Sequence, residues 1–141
     1  MFVYDTQLRV RYADTDQMHV VYHGKFIEYF ETGRTESMRS LGIVYKDLEE
    51  QGIIMPVVSL DCKFIRPAKY DDHLTIRTIL EHLPNGHSIL FKNEVYNADN
   101  QLLCIGHIKL YFMKKDGFEK ISIPELLLNK LSPFFEKTAS I

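Results

Sequence analysis

The sequence predicts an α+β domain in which a five-stranded antiparallel sheet wraps around one long central helix. One long segment has helical periodicity, one strand-like segment precedes it, and four strand-like segments follow it. The wide apolar stripe of a single helix needs a sheet large enough to cover it, and a curved five-stranded sheet is the compact solution. The 141 residues suffice for one core and are too few for two. We therefore expect a single domain over residues 1–141.

The first strand and the helices are predicted from a change of period along the chain. Apolar and polar residues alternate over residues 7–12, which indicates a strand with one buried face. From about Gly24 the apolar residues recur at helical spacing, and Gly42 is placed to end the helix. A second, short helix is predicted over residues 45–50.

The second half of the chain predicts four strands and a short last helix. The strand patterns cover residues 57–66, 74–82, 87–97 and 102–113. Turn residues separate them, which implies a meander, and Asn85-Gly86 is a strong signal for a tight hairpin. Ser122 and Glu125 have the spacing of a capping box that opens a helix over residues 126–131.

Composition and charge exclude several classes of protein. The chain carries 17 basic and 19 acidic residues, so it offers no basic face for a nucleic acid. No apolar run approaches the roughly twenty residues of a membrane span, and the N-terminus lacks the pattern of a signal peptide. A cytoplasmic protein with no membrane partner is expected. Cys62 and Cys104 are far apart in the sequence and are expected to be small buried residues rather than a disulfide or zinc ligands.

An acidic turn followed by a helix start is the most informative stretch for chemistry. Asp16 lies between the first strand and the long helix, and the free N–H groups of the first helical turn lie around His23 and Gly24. Such donors can stabilise an oxyanion, and Gly24 would let a ligand approach the backbone closely. A carboxylate at Asp16 could attack a carbonyl or deprotonate water. Asp16 could equally be a turn residue that satisfies backbone donors.

Two stretches resemble the hotdog-fold thioesterases of the 4-hydroxybenzoyl-CoA thioesterase type. The more specific one comprises YADTD at 12–16, VVYH at 20–23 and the helix from Phe26 to Arg34, and FIRPAKYDD at 64–72 adds a weaker match. The resemblance covers essentially the whole chain. It implies the hotdog fold and hydrolysis of an acyl-CoA to a carboxylic acid and a free thiol, without a metal or other cofactor. It also implies that Asp16 is the catalytic carboxylate, as base or nucleophile, and that the backbone N–H of His23 is the key oxyanion donor.

The neighbouring residues have open roles. The imidazole of His23 could orient water or protonate the departing sulfur, or it could face solvent. Tyr22 and Gly24 are candidate substrate-binding residues, although Tyr22 could simply pack. Glu31 is expected to pair with Arg34 at i, i+3. Many relatives have glycine where this chain has His19, so the loop or the acyl entrance is expected to differ.

The resemblance also implies the partners and the assembly. The substrate is expected to be a thioester of CoA or of acyl carrier protein. Two protomers of hotdog relatives join edge to edge, so we expect a homodimer, pairing further into a homotetramer, with Asp16 and His23 at the subunit boundary. The turn at residues 83–87 supplies only a histidine for CoA phosphates, so those contacts are not carried over.

Three alternatives remain open from the sequence. Four side chains at close spacing could be metal ligands, namely Asp14, Asp16, His19 and His23, although no zinc or calcium motif is present. A hotdog dehydratase acting on 3-hydroxyacyl chains would share the fold. A non-catalytic acyl-CoA binding module would share it too, because fold alone does not fix activity.

Overall fold

A computed structural model describes residues 1–136, and the end of the predicted domain, residues 137–141, lies outside them. The elements in chain order are β1 (Phe2–Arg9), α1 (His23–Ser40), α2 (Tyr45–Glu50), β2 (Ile53–Ile54), β3 (Val57–Phe64), β4 (His73–Leu80), β5 (Ser88–Tyr96), β6 (Leu102–Tyr111), β7 (Met113–Lys114) and α3 (Glu125–Leu131). Within the described residues, no helix is both long enough and apolar enough to cross a membrane.

Five strands form one antiparallel sheet in the order β1-β4-β5-β6-β3. The long helix α1 contacts β1 and β4 of this sheet, which confirms the predicted α+β architecture. The predicted meander is right for β4, β5 and β6 but wrong for β3, which pairs with the far side of β6 and becomes an edge strand. The loop between β3 and β4 makes this crossing, and Val21 donates a backbone hydrogen bond to Ala68 within it at 2.8 Å.

The helix lies very close to the sheet at Gly33. Phe30 is fully buried in the core, and one helical turn further on Gly33 faces β4. A Cβ atom at Gly33 would lie 2.7 Å from Cγ2 of Ile76 and 2.8 Å from Oγ1 of Thr78. Any larger residue at this position would therefore push the helix away from the sheet. Complete burial of a side chain such as Phe30 contributes roughly 1.5–3 kcal/mol to stability.

Some predicted ends and turns differ from the structure. Gly42 ends α1 with φ 80°, as predicted, because glycine adopts this left-handed conformation without strain. The capping box is wrong, since α3 begins at Glu125 with Pro124 as its N-cap and no side-chain cap. Strands β4 and β5 do pair, but neither Asn85 nor Gly86 has the positive φ of a tight two-residue turn, and a longer loop connects them.

The first strand is shifted toward the N-terminus relative to its prediction. It begins at Phe2, and Tyr12 lies in a 3-10 turn, Tyr12–Asp14, instead of the strand. The carboxylate of Asp14 accepts a hydrogen bond from the backbone N–H of Arg11 at 3.0 Å. Such a local bond offers the backbone an alternative to strand pairing, which explains the early end of β1.

The two cysteines lie side by side although they are 42 positions apart. Cys104 on β6 is buried and Cys62 on β3 is half-buried; both are free thiols, with their Sγ atoms 3.1 Å apart. Their expected role as small core residues fits this placement, but their proximity could not be read from the spacing. Burial raises the pKa of both thiols, so little reactive thiolate forms at neutral pH.

Candidate active site

The acidic turn and the helix start are held together by a short backbone ladder. Asp16 N–H donates to the carbonyl of Val20 at 2.9 Å, and His19 N–H donates back to the carbonyl of Asp16 at 3.0 Å. Tyr22 N–H donates to the carbonyl of Asp14 at 2.9 Å just before α1 begins. The loop therefore folds back on itself and brings Asp16 to the N-terminal end of the helix.

The carboxylate of Asp16 has a structural contact as well as access to a groove. Its Oδ1 accepts a hydrogen bond from the N–H of Met18 at 2.8 Å, which is the contact of an Asx turn. Its other oxygen, Oδ2, accepts no hydrogen bond from residues 1–136. Asp16 is half-buried and lines a groove of about 400 Å³. The turn role and the site role predicted for this residue are thus compatible.

Backbone donors are available at the same place. His23 is the first residue of α1, and the N–H groups of His23 and Gly24 donate no hydrogen bond within residues 1–136. The first N–H group of α1 that donates a hydrogen bond is that of Lys25, which donates to the carbonyl of Tyr22 at 2.9 Å. Free donors at a helix start attract negative charge, because the helix dipole adds to their effect. His23 lines the same groove as Asp16.

The wall of the groove is mostly apolar. Its apolar lining residues are Met18, Val20, Val21, Phe26, Phe64, Ile65 and Pro67. The ring of Phe64 lies edge-on to Phe26, with a centroid distance of 5.6 Å, and edge-on to His23 at 6.2 Å. Arg66 adds one cationic group to this wall. The groove is therefore suited to an apolar group, and Asp16 and His23 are polar residues of its wall.

Tyr22 and Gly24, the predicted substrate-binding residues, do not line this groove. The ring of Tyr22 packs on His23 with a centroid distance of 4.2 Å. A Cβ atom at Gly24 would lie 2.7 Å from Cε2 of Tyr22, so glycine here makes room for the tyrosine ring. The structure thus supplies a packing reason for both residues. A direct contact of either residue with substrate stays a prediction.

Asp14, the first acid of the turn, is a structural residue that is only 2% exposed. It accepts hydrogen bonds from Arg11 N–H, from the Arg11 guanidinium at 3.2 Å and from the Tyr29 hydroxyl at 2.9 Å. Burial raises the pKa of this carboxyl, but these hydrogen bonds outweigh it and hold the pKa below its usual value. Burial and the same contact raise the pKa of the Tyr29 hydroxyl. The ionised carboxylate of Asp14 therefore links the turn to α1 through the hydrogen bond from Tyr29.

His19 occupies a left-handed position in the loop. Its φ is 64°, a conformation that glycine adopts readily and that costs most other residues free energy. The chain thus forms at His19 the kind of turn for which glycine is the favoured residue. The exposed side chain of His19 is not part of the groove wall.

Two features of the site region differ from the sequence analysis. The predicted ion pair between Glu31 and Arg34 is wrong, since the i, i+3 pairs of α1 join Lys25 to Glu28 and Arg39 to Glu36. Residues 64–67 also form part of the groove wall, which was not predicted from the sequence. The second matching stretch, FIRPAKYDD, was the signal that could have placed them there.

The comparisons with known proteins identify the family of the whole domain. Residues 10–131 match the model of the thioesterase-like superfamily. The YneP protein of Bacillus subtilis (strain 168) is 31% identical over 86% of this chain and 87% of its own. The acyl-CoA thioester hydrolase YbgC of Escherichia coli O6:H1 is 33% identical over 68% of this chain and 71% of its own. The crystal structure of a DHNA-CoA thioesterase from Staphylococcus aureus has a TM-score of 0.85 and 28% identity, and covers 98% of both chains.

The chain belongs to the thioesterase-like superfamily and has the hotdog fold. The resemblance to the hotdog-fold acyl-CoA thioesterases of the 4-hydroxybenzoyl-CoA thioesterase type, drawn from the acidic turn and the helix start, is confirmed.

Proposed function

We propose that this protein hydrolyses the thioester bond of an acyl-CoA in the groove between the acidic turn and the start of α1. Thioester hydrolase activity on acyl-CoA is the activity of its family. One observation carries the assignment of the site: Asp16 and His23, whose backbone N–H donates no hydrogen bond within residues 1–136, line the same apolar groove. A thioester needs both a nucleophile and an oxyanion stabiliser at that point.

The reaction follows from this arrangement. Asp16 deprotonates a water molecule, or attacks the carbonyl itself, and the carbonyl oxygen becomes an anion that accepts hydrogen bonds from the N–H groups of His23 and Gly24. The tetrahedral intermediate collapses when the carbon–sulfur bond breaks. The sulfur leaves as a thiolate and takes up a proton, and we assign the supply of this proton to the imidazole of His23, which lines the groove. If Asp16 attacks directly, this collapse leaves a mixed anhydride with Asp16, which a water molecule then hydrolyses. In both routes the products are the carboxylic acid and the free thiol of CoA.

The decisive experiment replaces Asp16 with asparagine. The amide oxygen of Asp16→Asn can still accept the Met18 N–H bond, so the turn survives while the base is lost. We expect the rate of thiol release to fall by roughly a hundred- to ten-thousand-fold, with an unchanged far-UV spectrum and Tm. A matched control is Asp72→Asn. The carboxylate of Asp72 also accepts a hydrogen bond from a backbone N–H, that of Lys69, but Asp72 lies outside the groove. Activity of Asp16→Asn within a few-fold of wild type would refute the assignment.

The same variant separates an enzyme from a binding module. A catalytic carboxylate predicts that Asp16→Asn still binds an acyl-CoA but does not turn it over. A protein that binds acyl-CoA without any turnover in the wild type would be a non-catalytic module. A panel of acyl-CoA and carrier-linked thioesters with short, long and aromatic acyl groups, assayed for thiol release, distinguishes CoA from acyl carrier protein as the thiol.

We further propose a homodimer as the smallest active unit, pairing again into a homotetramer. Strand β3 is an edge of the sheet, and four of its apolar side chains are 39–49% exposed: Val57, Val58, Leu60 and Phe64. An unpaired apolar edge favours pairing with a second copy. Because Phe64 also lines the groove, such pairing would place Asp16 and His23 at the subunit boundary. The cytoplasmic location stays a prediction.

A further inference from the structure

A second cavity of about 180 Å³ lies beside the C-terminal half of α1, between that helix, α2, β2 and β6. Arg34 and Tyr45 line it, and Arg34 is only 7% exposed. Within residues 1–136, Nε and Nη1 of Arg34 and the hydroxyl of Tyr45 are buried and have no hydrogen-bond partner. The guanidinium lies close enough to Tyr45 to oppose the rise that burial causes in the pKa of its hydroxyl.

These unpartnered groups require an explanation. A guanidinium is always charged, and burying a charge without a partner is strongly unfavourable. Two carboxylates, Glu31 and Glu49, also line the cavity, but neither forms an ion pair with Arg34 in the part of the chain that the structure describes. A hydrogen-bond acceptor that enters the cavity would therefore pair with Arg34 groups that residues 1–136 leave unpaired.

We propose that Arg34 and Tyr45 bind a carboxylate group, supplied either by the far end of an acyl substrate or by a free small organic acid. A guanidinium donates two parallel hydrogen bonds to a carboxylate, and the tyrosine hydroxyl adds a third donor beside it. The small cavity admits a carboxylate and a short part of its chain. The acids Glu31 and Glu49 disfavour a doubly charged phosphate because like charges repel.

The position of the cavity on α1 explains why a substrate could supply this carboxylate. Arg34 lies eleven residues after His23, which is roughly 16 Å along the helix and within about 20° of the same side. Ile27 is 40% exposed and lies on this side between the two residues. An acyl chain that runs along this side from the Asp16 groove would bring its far end to Arg34. The substrate as the source of the carboxylate rests on the proposed function, whereas binding of a free organic acid does not.

The first experiment measures carboxylate binding directly. Titration with sodium propionate, against sodium chloride at equal ionic strength, is followed by the Nε–H signal of Arg34 in the NMR spectrum and by the Tm. We expect propionate to shift this signal and raise the Tm of the wild type and of Arg39→Gln, a control on the exposed side of the same helix. Arg34→Gln should lose the response, and Tyr45→Phe should weaken it. Tyr45→Phe and the wild-type NMR signal keep the test valid if Arg34→Gln does not fold.

Two results would overturn the site. One is an identical response to propionate and chloride in the wild type. The other is a response that appears only in Glu31→Gln, which would mean that Glu31 occupies Arg34 in solution. The titration is repeated on Asp16→Asn, where binding should persist. Failure of the catalytic assignment and failure of this site are therefore distinguishable.

The second experiment identifies the source of the carboxylate. Hydrolysis of an acyl-CoA with a terminal carboxylate is compared with hydrolysis of the unsubstituted chain of equal length. If the substrate supplies the group, Arg34→Gln lowers the ratio of the two kcat/KM values by about ten-fold or more, and Arg39→Gln does not. An unchanged ratio, together with positive propionate binding, assigns the site to a free organic acid and overturns the substrate as the source.

Discussion

The two oxygen atoms of the Asp16 carboxylate have different surroundings. Oδ1 holds the N–H of Met18 and so fixes the turn, while the residue as a whole faces the groove. The turn contact restricts the rotation of the side chain, and a reactive group works best when its neighbours hold it in place. An alanine at this position would remove both the turn contact and the base. An asparagine removes only the base, which is why it is the sharper variant.

The side chain of His23 should matter less than Asp16. We expect His23→Ala to lower the rate of thiol release by about a hundred-fold at most, because the backbone N–H that stabilises the oxyanion survives the substitution. Steady-state assays of both variants under the same conditions give the comparison. Tyr22→Phe, which keeps the ring packed on His23, is the control for packing. Equal and complete losses in His23→Ala and Asp16→Asn would mean that the imidazole itself is essential.

The left-handed backbone at His19 predicts a gain in stability on substitution by glycine. His19→Gly should raise the free energy of unfolding by about 1 kcal/mol, because the strain of a β-carbon at φ 64° is removed. Urea unfolding measures this change. Asn100, at φ 59°, is the matched control, since asparagine tolerates this conformation and Asn100→Gly should change stability less. A destabilised His19→Gly would show that the imidazole makes a contact that outweighs the strain.

At the scale of the elements, the sequence predicts periodicity well and pairing partners poorly. The helix α1 is predicted closely because its apolar stripe and the terminating Gly42 are local signals. The sequence did not predict the edge position of β3 or the pairing of β2 with β7, because no local pattern shows which strands pair. The residues that line the groove were likewise predicted only where they are close together in the sequence. Asp16 and His23 are near each other in sequence and were predicted, whereas Phe64 reaches them only through the crossing of β3.

The link between the 3-10 turn and α1 predicts a pH dependence. The pKa of Asp14 is lowered in the folded protein, so its contribution to stability is fully present above its ordinary value near 3.8 and is lost as the pH falls through the lower folded value. We expect Asp14→Asn to lower the free energy of unfolding at pH 7 by about 2 kcal/mol. Below about pH 4, the free energy of unfolding of this variant should decrease less with falling pH than that of the wild type. Urea unfolding from pH 2 to pH 7 measures both effects.

A smaller change at the same link serves as the control. Tyr29→Phe removes one hydrogen bond to Asp14 and leaves the two donors of Arg11 in place. Its stability should therefore lie between those of the wild type and Asp14→Asn. An acid dependence of Asp14→Asn that matches the wild type would contradict an ionised Asp14 in the folded state.

At the scale of the whole molecule, the two edges of the sheet have different chemistry. The outer edge β1 carries charged and polar side chains, such as Asp5 in its ion pair with Arg77, and the N-terminal amine bonds to the carbonyl of Phe134. The edge β3 exposes Val57, Leu60 and Phe64 along one face, and Ser59, Asp61 and Lys63 are exposed along the other. Charged groups discourage strand pairing and apolar ones favour it. The row of exposed apolar side chains therefore favours β3 as the strand of the proposed pairing.

A charge placed on β3 tests the shared-site dimer. Leu60→Lys puts a cation in the middle of the exposed edge strand, where pairing of two copies through β3 would bury one added cation from each copy. We expect light scattering at micromolar concentration to show a monomer, with activity strongly reduced, because the groove wall at Phe64 would lose its neighbouring subunit. Val3→Lys, on the opposite edge β1, is the matched control and should leave assembly and activity unchanged. A monomer that is fully active, whether wild type or Leu60→Lys, would refute the shared site. A dimer that stays active on dilution would contradict only the proposed homotetramer.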